Sequence, residues 1–172
     1  MIGEVLQVVV QHLNVELIHK LSVSPNSAVL RLESPNAAVK SLARIKEPYL
    51  SVQLLSINTE KLPHHSMLDD PSAGSIPTPP PLHYHVYCRI SALSTNDGYP
   101  EAINYLTAVL ESLHKTPLWD RTNTPSLPDS IERIAFEEQP IMDDADTFLS
   151  GHSFAVDWPS CILKLRVLLM EK

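Results

Sequence analysis

Cysteine and glycine are scarce in this sequence, and their scarcity excludes several classes of site. The two cysteines, Cys88 and Cys161, are too few and too far apart for a disulfide framework or a CxxC zinc site. Each lies in an apolar pattern, so we expect buried, reduced thiols. The four glycines, at positions 3, 74, 98 and 151, form no glycine-rich phosphate loop, and the GxSxG and HExxH motifs of hydrolases are missing.

Long apolar runs and clusters of basic residues are also missing. The longest apolar runs, Val8–Val10 and Val167–Met170, are far shorter than the roughly 20 residues that cross a bilayer. The net charge of −7 argues against a nucleic-acid partner, because phosphate neutralisation needs clustered lysine and arginine. Glu4 stands where a secretion signal would carry positive charge. We therefore predict a cytoplasmic protein with no membrane insertion and no nucleic-acid partner.

The composition suits one compact domain over residues 1–172, with 44% apolar and 19% charged residues. A domain of this length buries roughly 70% of its unfolded surface, which is enough for a single core. Long proline-containing loops are expected at 60–81 and at Thr122–Asp129, and a short helix at Asp143–Leu149. The carboxylates at 137, 138, 143, 144 and 146 lack the spacing of a calcium loop and are expected to form a solvated acidic patch.

Two segments have the three- and four-residue spacing of amphipathic helices. The first runs from Ile2 to about Leu21, and the second runs from Pro100 to Lys115, where Pro117 stops it. Val8 and Val15 lie outside the apolar stripe of the first helix. Either a second element of the fold covers these two side chains, or they contact another subunit. The first stripe consists of Ile2, Leu6, Val9, Leu13 and Leu17, and the second of Tyr99, Ala102, Ile103, Leu106, Val109, Leu110 and Leu113.

Alternating or β-prone segments predict four or five strands. One of them begins in PPPLHYHVYCRI, where a run of prolines favours an extended conformation. The others are expected at Ala28–Leu32, Tyr49–Ile57, Ile131–Glu138 and Ser160–Met170. We predict an α+β fold in which one mainly antiparallel sheet of four or five strands carries the two main helices.

The strand after the proline run has one apolar face and one polar face. Its period of two places Tyr84, Val86, Cys88 and Ile90 on the core face, and His83, His85, Tyr87 and Arg89 on the other face. The last strand likewise separates Lys164 and Arg166 from an apolar face made by Cys161, Leu163, Leu165, Val167 and Leu169. The polar face fits a solvent-facing or interface-facing sheet surface.

Two histidines at i and i+2 on a strand could jointly bind zinc. A structural zinc site needs four ligands and a catalytic site at least three, and the sequence alone recruits no third ligand. A metal-dependent hydrolase that uses His83, His85 and a distant carboxylate is therefore a less favoured alternative. We predict no catalytic residues, no metal and no cofactor.

The order of the segments resembles the cap, or tail terminator, proteins of extracellular contractile injection systems, which are phage-tail-like particles with an inner tube inside a contractile sheath. The resemblance covers nearly the whole chain, and its most specific parts are PPLHYHVY and the helix EAINYLTAVLESLH. The chain departs from the family in SGHSFAVDWPSCILKL, where Trp158 follows the short helix. The other matching segments are IGEVLQVVVQHLN, SVQLLSINTE, KTPLW and CILKLRVLLM.

The resemblance implies a structural, non-enzymatic protein, which forms a sixfold ring with copies of itself. The ring would sit on the last ring of the inner tube and hold the last ring of the sheath, so that polymerisation stops at a fixed length. A neck or baseplate adaptor of the same kind of particle is the alternative. Candidate contact residues for the ring or the tube are His83, His85, Tyr87, Arg89, Lys164 and Arg166.

Overall fold

The computed structural model describes residues 2–24, 29–34, 45–60, 83–139 and 158–170. The predicted short helix at 143–149 and nearly all of the predicted loop at 60–81 lie outside these residues. The elements are α1 (Ile2–Leu21), β1 (Leu30–Leu32), β2 (Tyr49–Glu60), β3 (His83–Leu93), α2 (Tyr99–Lys115), β4 (Leu118–Asp120), β5 (Ile131–Gln139) and β6 (Ser160–Leu169).

Both predicted helices are confirmed, although their buried faces differ somewhat from the predicted stripes. In α1, Val5 and Val10 join the buried positions, whereas Val8 is partly buried and Val15 is exposed. In α2, Tyr105 and Ala108 are buried, whereas the predicted core residue Tyr99 is exposed. The difference arises because the two helices pack against each other as well as on the sheet, which turns each buried face towards its neighbour.

Within the described residues the strands form one six-stranded mixed sheet in the order β1-β2-β3-β6-β5-β4. The predicted count of four or five strands is wrong, because β4 has only three residues and gives no alternation that a sequence pattern could detect. β1 pairs with β2 in parallel, and every other neighbouring pair is antiparallel. The α+β class and the mainly antiparallel arrangement are confirmed.

β2 is longer than predicted. It continues to Glu60, which pairs with His83 at the start of β3, so Glu60 belongs to the sheet and not to the loop. The missed residues are the polar Asn58, Thr59 and Glu60, which continue no apolar alternation, and a bulge lies earlier in the strand between Leu54 and Ser56.

The core lies between the two helices and one face of the sheet. Asn14 fastens α1 to the edge strand β1: its amide nitrogen donates to the carbonyl oxygen of Leu30 (2.7 Å), and its Oδ1 accepts from the Leu30 N–H (2.8 Å). No helix of the described residues is both long enough and apolar enough to span a membrane.

The two cysteines are free and buried in the core, as predicted. Burial raises the pKa of the Cys88 thiol to about 12. Burial, with a smaller contribution from the Glu138 carboxylate, raises the pKa of Cys161 to about 12 as well. Both side chains therefore stay protonated near neutral pH and act as apolar packing groups.

Candidate functional site

The six residues predicted as contact residues come together on the face of the sheet that points away from the helices, here called the outer face. Residues 86, 88 and 90 of β3 are buried in the core, so the alternate side chains of that strand lie on the outer face. His85 lies directly opposite Arg166 of β6, and Tyr87 lies directly opposite Lys164. His83 and Arg89 occupy the two ends of the same row on β3.

Glu60 joins three of these residues. Its Oε2 atom lies 3.3 Å from Nε2 of His85, 3.4 Å from Nη2 of Arg166 and 3.8 Å from Nδ1 of His83. The approach of His85 lacks hydrogen-bond geometry, and its Nε2 is buried without a hydrogen-bond partner.

Glu137 of β5 extends the cluster to a fourth strand. Its carboxylate oxygens lie 3.2 Å from Nζ of Lys164 and 3.7 Å from Nη1 of Arg166. Arg166 thus bridges Glu60 and Glu137, so that the ionic contacts cross the outer face from β2 through β3 and β6 to β5. We call this set the charged row: Glu60, His83, His85, Arg166, Glu137 and Lys164. The carboxylates of Glu60 and Glu137 balance the positive charges of Arg166 and Lys164. The net charge of the row is therefore zero when both imidazoles are neutral.

Sequence reasoning missed the two carboxylates of the charged row. The sequence pattern predicts Glu60 at the start of a loop and Glu137 in a solvated acidic patch. Strand register places Glu137 opposite Lys164 and Glu60 opposite His83. These pairs can be recognised only when the strand order is known. Opposite charges at facing positions of antiparallel strands are the signal that could have found them.

The opposite end of the outer face carries a small apolar cluster. Tyr49 and Leu93 pair across β2 and β3 and are buried, with Ile45 and Trp158 packed against them. The Arg31 guanidinium lies 4.2 Å from the Tyr49 ring centroid, and Arg89 Nε donates to Ser160 Oγ at 3.1 Å. The outer face therefore combines an apolar end with a charged end.

The pKa of the Glu60 carboxyl reflects this setting. Desolvation alone would raise it, but the positive charges of Arg166, His85 and His83 outweigh desolvation and hold the pKa of Glu60 below its ordinary value of 4.5. Because the folded state lowers this pKa, ionised Glu60 stabilises the fold above the unfolded value. That stabilisation is lost as the pH falls through the folded value.

Glu60→Gln is expected to lower stability near neutral pH and to have little effect in acid. Urea unfolding of wild type and Glu60→Gln at about pH 6 and about pH 3 measures this, and the difference between their midpoints should shrink at the lower pH. Glu132→Gln removes an exposed carboxylate of β5 outside the charged row and serves as the control. An equal difference at both pH values would contradict the role assigned to ionised Glu60.

The arrangement bears on the alternative of a metal-dependent hydrolase. Glu60 is the carboxylate that such a site would need beside His83 and His85. However, no group of three or more histidine, cysteine, aspartate or glutamate residues within the described part of the chain is arranged to hold a metal ion. The guanidinium of Arg166 already lies 3.4 Å from the same carboxylate oxygen and supplies the positive charge there.

Comparison with known proteins gives a family and a fold. The family model described as the Pvc16 N-terminal domain matches residues 4–146. No curated protein gives a significant match. The solved structures include a cryo-EM structure of an extracellular contractile injection system, the PVC sheath/tube terminator in its extended state, which resembles this chain with a TM-score of 0.55 and 16% sequence identity.

The resemblance to the terminator covers 100% of this chain but only 57% of the terminator chain, so this chain spans little more than half of the terminator's length. At this identity the likeness concerns the fold alone. The family match, by contrast, spans most of the sequence and confirms the tail-terminator resemblance predicted from the segment order. The chain belongs to the Pvc16 N-terminal domain family.

Proposed function

We propose that this chain is a structural terminator of a contractile injection particle and carries out no catalysis. In this proposal residues 1–172 act as one domain, which assembles with copies of itself into a sixfold ring in the cytoplasm. The ring seats on the end of the inner tube, holds the sheath and stops polymerisation. Family membership and a terminator-like fold support the role.

The charged row is the main reason to choose the outer face as the contact surface. Its ionic contacts spread across four strands of one sheet face, whereas catalytic groups converge in a concave pocket. The opposite end of the same face holds the buried apolar cluster around Tyr49 and Leu93. Arginine and tyrosine on a surface are typical of protein interfaces.

The paired charges have a physical consequence for docking. A row whose cations and anions already contact each other can be covered by a partner at a smaller desolvation cost than isolated charges. The fixed pattern of charge signs along the row would also select the register of the partner surface. We therefore assign the contact role to His83, His85, Tyr87, Arg89, Lys164 and Arg166, as the sequence predicted.

Deletion of the chain from the particle tests the function. Electron microscopy of tube lengths should show an uncontrolled length distribution or unstable sheaths, and normal lengths should return when the chain is supplied again. Tubes that lack a baseplate would favour the adaptor alternative. Uniform particles of normal length would contradict termination.

A further inference from the structure

Among the described residues, the second half of β2 has no neighbouring strand on the β1 side, and we call this the open edge. β1 pairs only with Leu50–Val52, and the last backbone hydrogen bond across that edge runs from the Glu33 N–H to the Val52 carbonyl oxygen at 3.0 Å. From Leu54 to Glu60, no residue of the described chain pairs with β2 on the β1 side. At roughly 3.3 Å per residue, this edge is about 20 Å long.

The sequence explains why β1 does not cover this edge. Its direction is parallel to β2, so a longer β1 would run alongside Leu54 and the residues that follow. Pro35 comes two residues after the last hydrogen-bonded position, Glu33, and a proline has no N–H to donate to a ladder. Within the described part of the chain, the short edge strand thus leaves most of β2 without a neighbour on that side.

Apart from the bulge at Leu54–Ser56, the described part of this edge lacks the side chains that usually protect against strand pairing. Natural sheets protect exposed edges with lysine, proline or inward-pointing charge, yet the segment LLSINT contains none of these. It is uncharged and β-prone, which is typical of segments that pair with other strands. The side chains of Leu54 and Ile57 are 38% and 43% exposed beside it. The bulge between Leu54 and Ser56 is its one irregular feature within the described strand.

The backbone groups available at the edge follow from the register. The Leu50 N–H and the Val52 carbonyl point towards β1, so residues 49, 51 and 53 bond to β3. Beyond the bulge, Ser56, Asn58 and Glu60 take over the pairing with odd-numbered residues of β3. The N–H and C=O groups of Ile57 and Thr59 therefore face the open edge.

We infer that the open edge of β2 accepts an extended strand donated by a different protein of the particle, with apolar side chains at alternate positions that cover Leu54 and Ile57. This inference rests on the proposed function. Backbone groups of Ile57 and Thr59 would supply the affinity, and the two exposed apolar side chains would supply the selectivity, as in other cases of strand addition.

A second copy of the chain fits the edge less well. Pairing of β2 with β2 would be two-fold symmetric and would close a dimer, which is incompatible with the head-to-tail contacts of a ring. The described residues also offer the end of β5 as a candidate strand in a second copy. Beyond Phe136, which bonds to Pro117, that strand offers only Glu137–Gln139, which is too short for the β2 edge and carries two glutamates.

A proline at position 59 provides the sharpest test. Thr59→Pro removes one edge N–H and leaves the bonds between β2 and β3 intact, whereas Thr59→Ala keeps the N–H. Ile57→Lys, with Ile57→Val as its control, blocks the edge by charge instead. Each variant replaces the wild-type chain in the particle, and unfolding of the purified variants confirms that they are folded. The two edge-blocking variants should lose length control to the extent that the deletion does, and the two controls should retain it.

The outcomes separate the inference from the proposed function. Normal tube lengths after deletion would overturn the proposed function itself. If the deletion disturbs tube lengths but particles that carry either edge-blocking variant have normal lengths, only the strand addition is overturned. Slow amide exchange of Ile57 and Thr59 in the isolated chain would also overturn it, because the edge would then be covered within one subunit. A cryo-EM map that places a second copy of this chain along β2 would overturn the choice of partner.

Discussion

Replacing Trp119 with alanine is expected to lower the free energy of unfolding by about 3–5 kcal/mol. The indole is 2% exposed and packs 4.5 Å from the His12 ring and 4.7 Å from the Phe136 ring, measured between centroids. It is also the one buried residue of β4, so it holds that edge strand on the core. Its removal leaves a large cavity between α1 and the sheet.

Urea unfolding followed by circular dichroism measures this loss. Trp158→Ala is the matched control, because Trp158 is the other tryptophan and lies partly exposed in the small cluster of the outer face. Trp158→Ala should lower the free energy of unfolding clearly less than Trp119→Ala does. Equal losses for the two variants would contradict the position of Trp119 in the main core.

Reversing the charge of Lys164 is expected to abolish capping while the chain stays folded. Lys164→Glu replaces an ion pair with Glu137 by a repulsion, which costs about 1 kcal/mol for a partly exposed pair. Its larger effect should be on docking, because the new charge has the wrong sign for a partner surface fitted to the charged row. Tube lengths in particles that carry Lys164→Glu should resemble those of the deletion.

A charge swap distinguishes docking from internal stability. The double variant Lys164→Glu/Glu137→Lys restores an ion pair between β6 and β5 with its polarity reversed. Part of the lost stability should return, because the ion pair forms again while the new lysine at position 137 repels Arg166, whereas length control should remain lost. Recovery of normal tube lengths by the swap would show that the pair acts only within the subunit and would remove Lys164 from the proposed contact surface.

Much of the fold could be predicted from local patterns. The apolar spacing of α1 and α2 gave both helices, and the period of two in β3 and β6 gave the division into a core face and a polar face. These signals are local, because each depends only on the geometry of one element. The three-residue strand β4 carried no such signal, and its pairing with β5 depends on the tertiary position of Trp119.

Four of the six residues of the charged row could be predicted, and the reason that the other two could not is topological. The histidines and cations were identified because they alternate with core residues along single strands. Glu60 and Glu137 gain their roles from residues 106 and 27 positions away in the sequence, through Arg166 and Lys164. Only the strand order β2-β3-β6-β5 brings these four side chains into one row.

A cryo-EM reconstruction of the particle's tube end, with side chains visible, most directly tests the proposed role. We predict that this chain forms a ring on the last tube ring, with Tyr87, Arg89 and Lys164 within contact distance of a neighbouring subunit. A ring at the tube end whose outer face is open to solvent, or a chain found elsewhere in the particle, would contradict it.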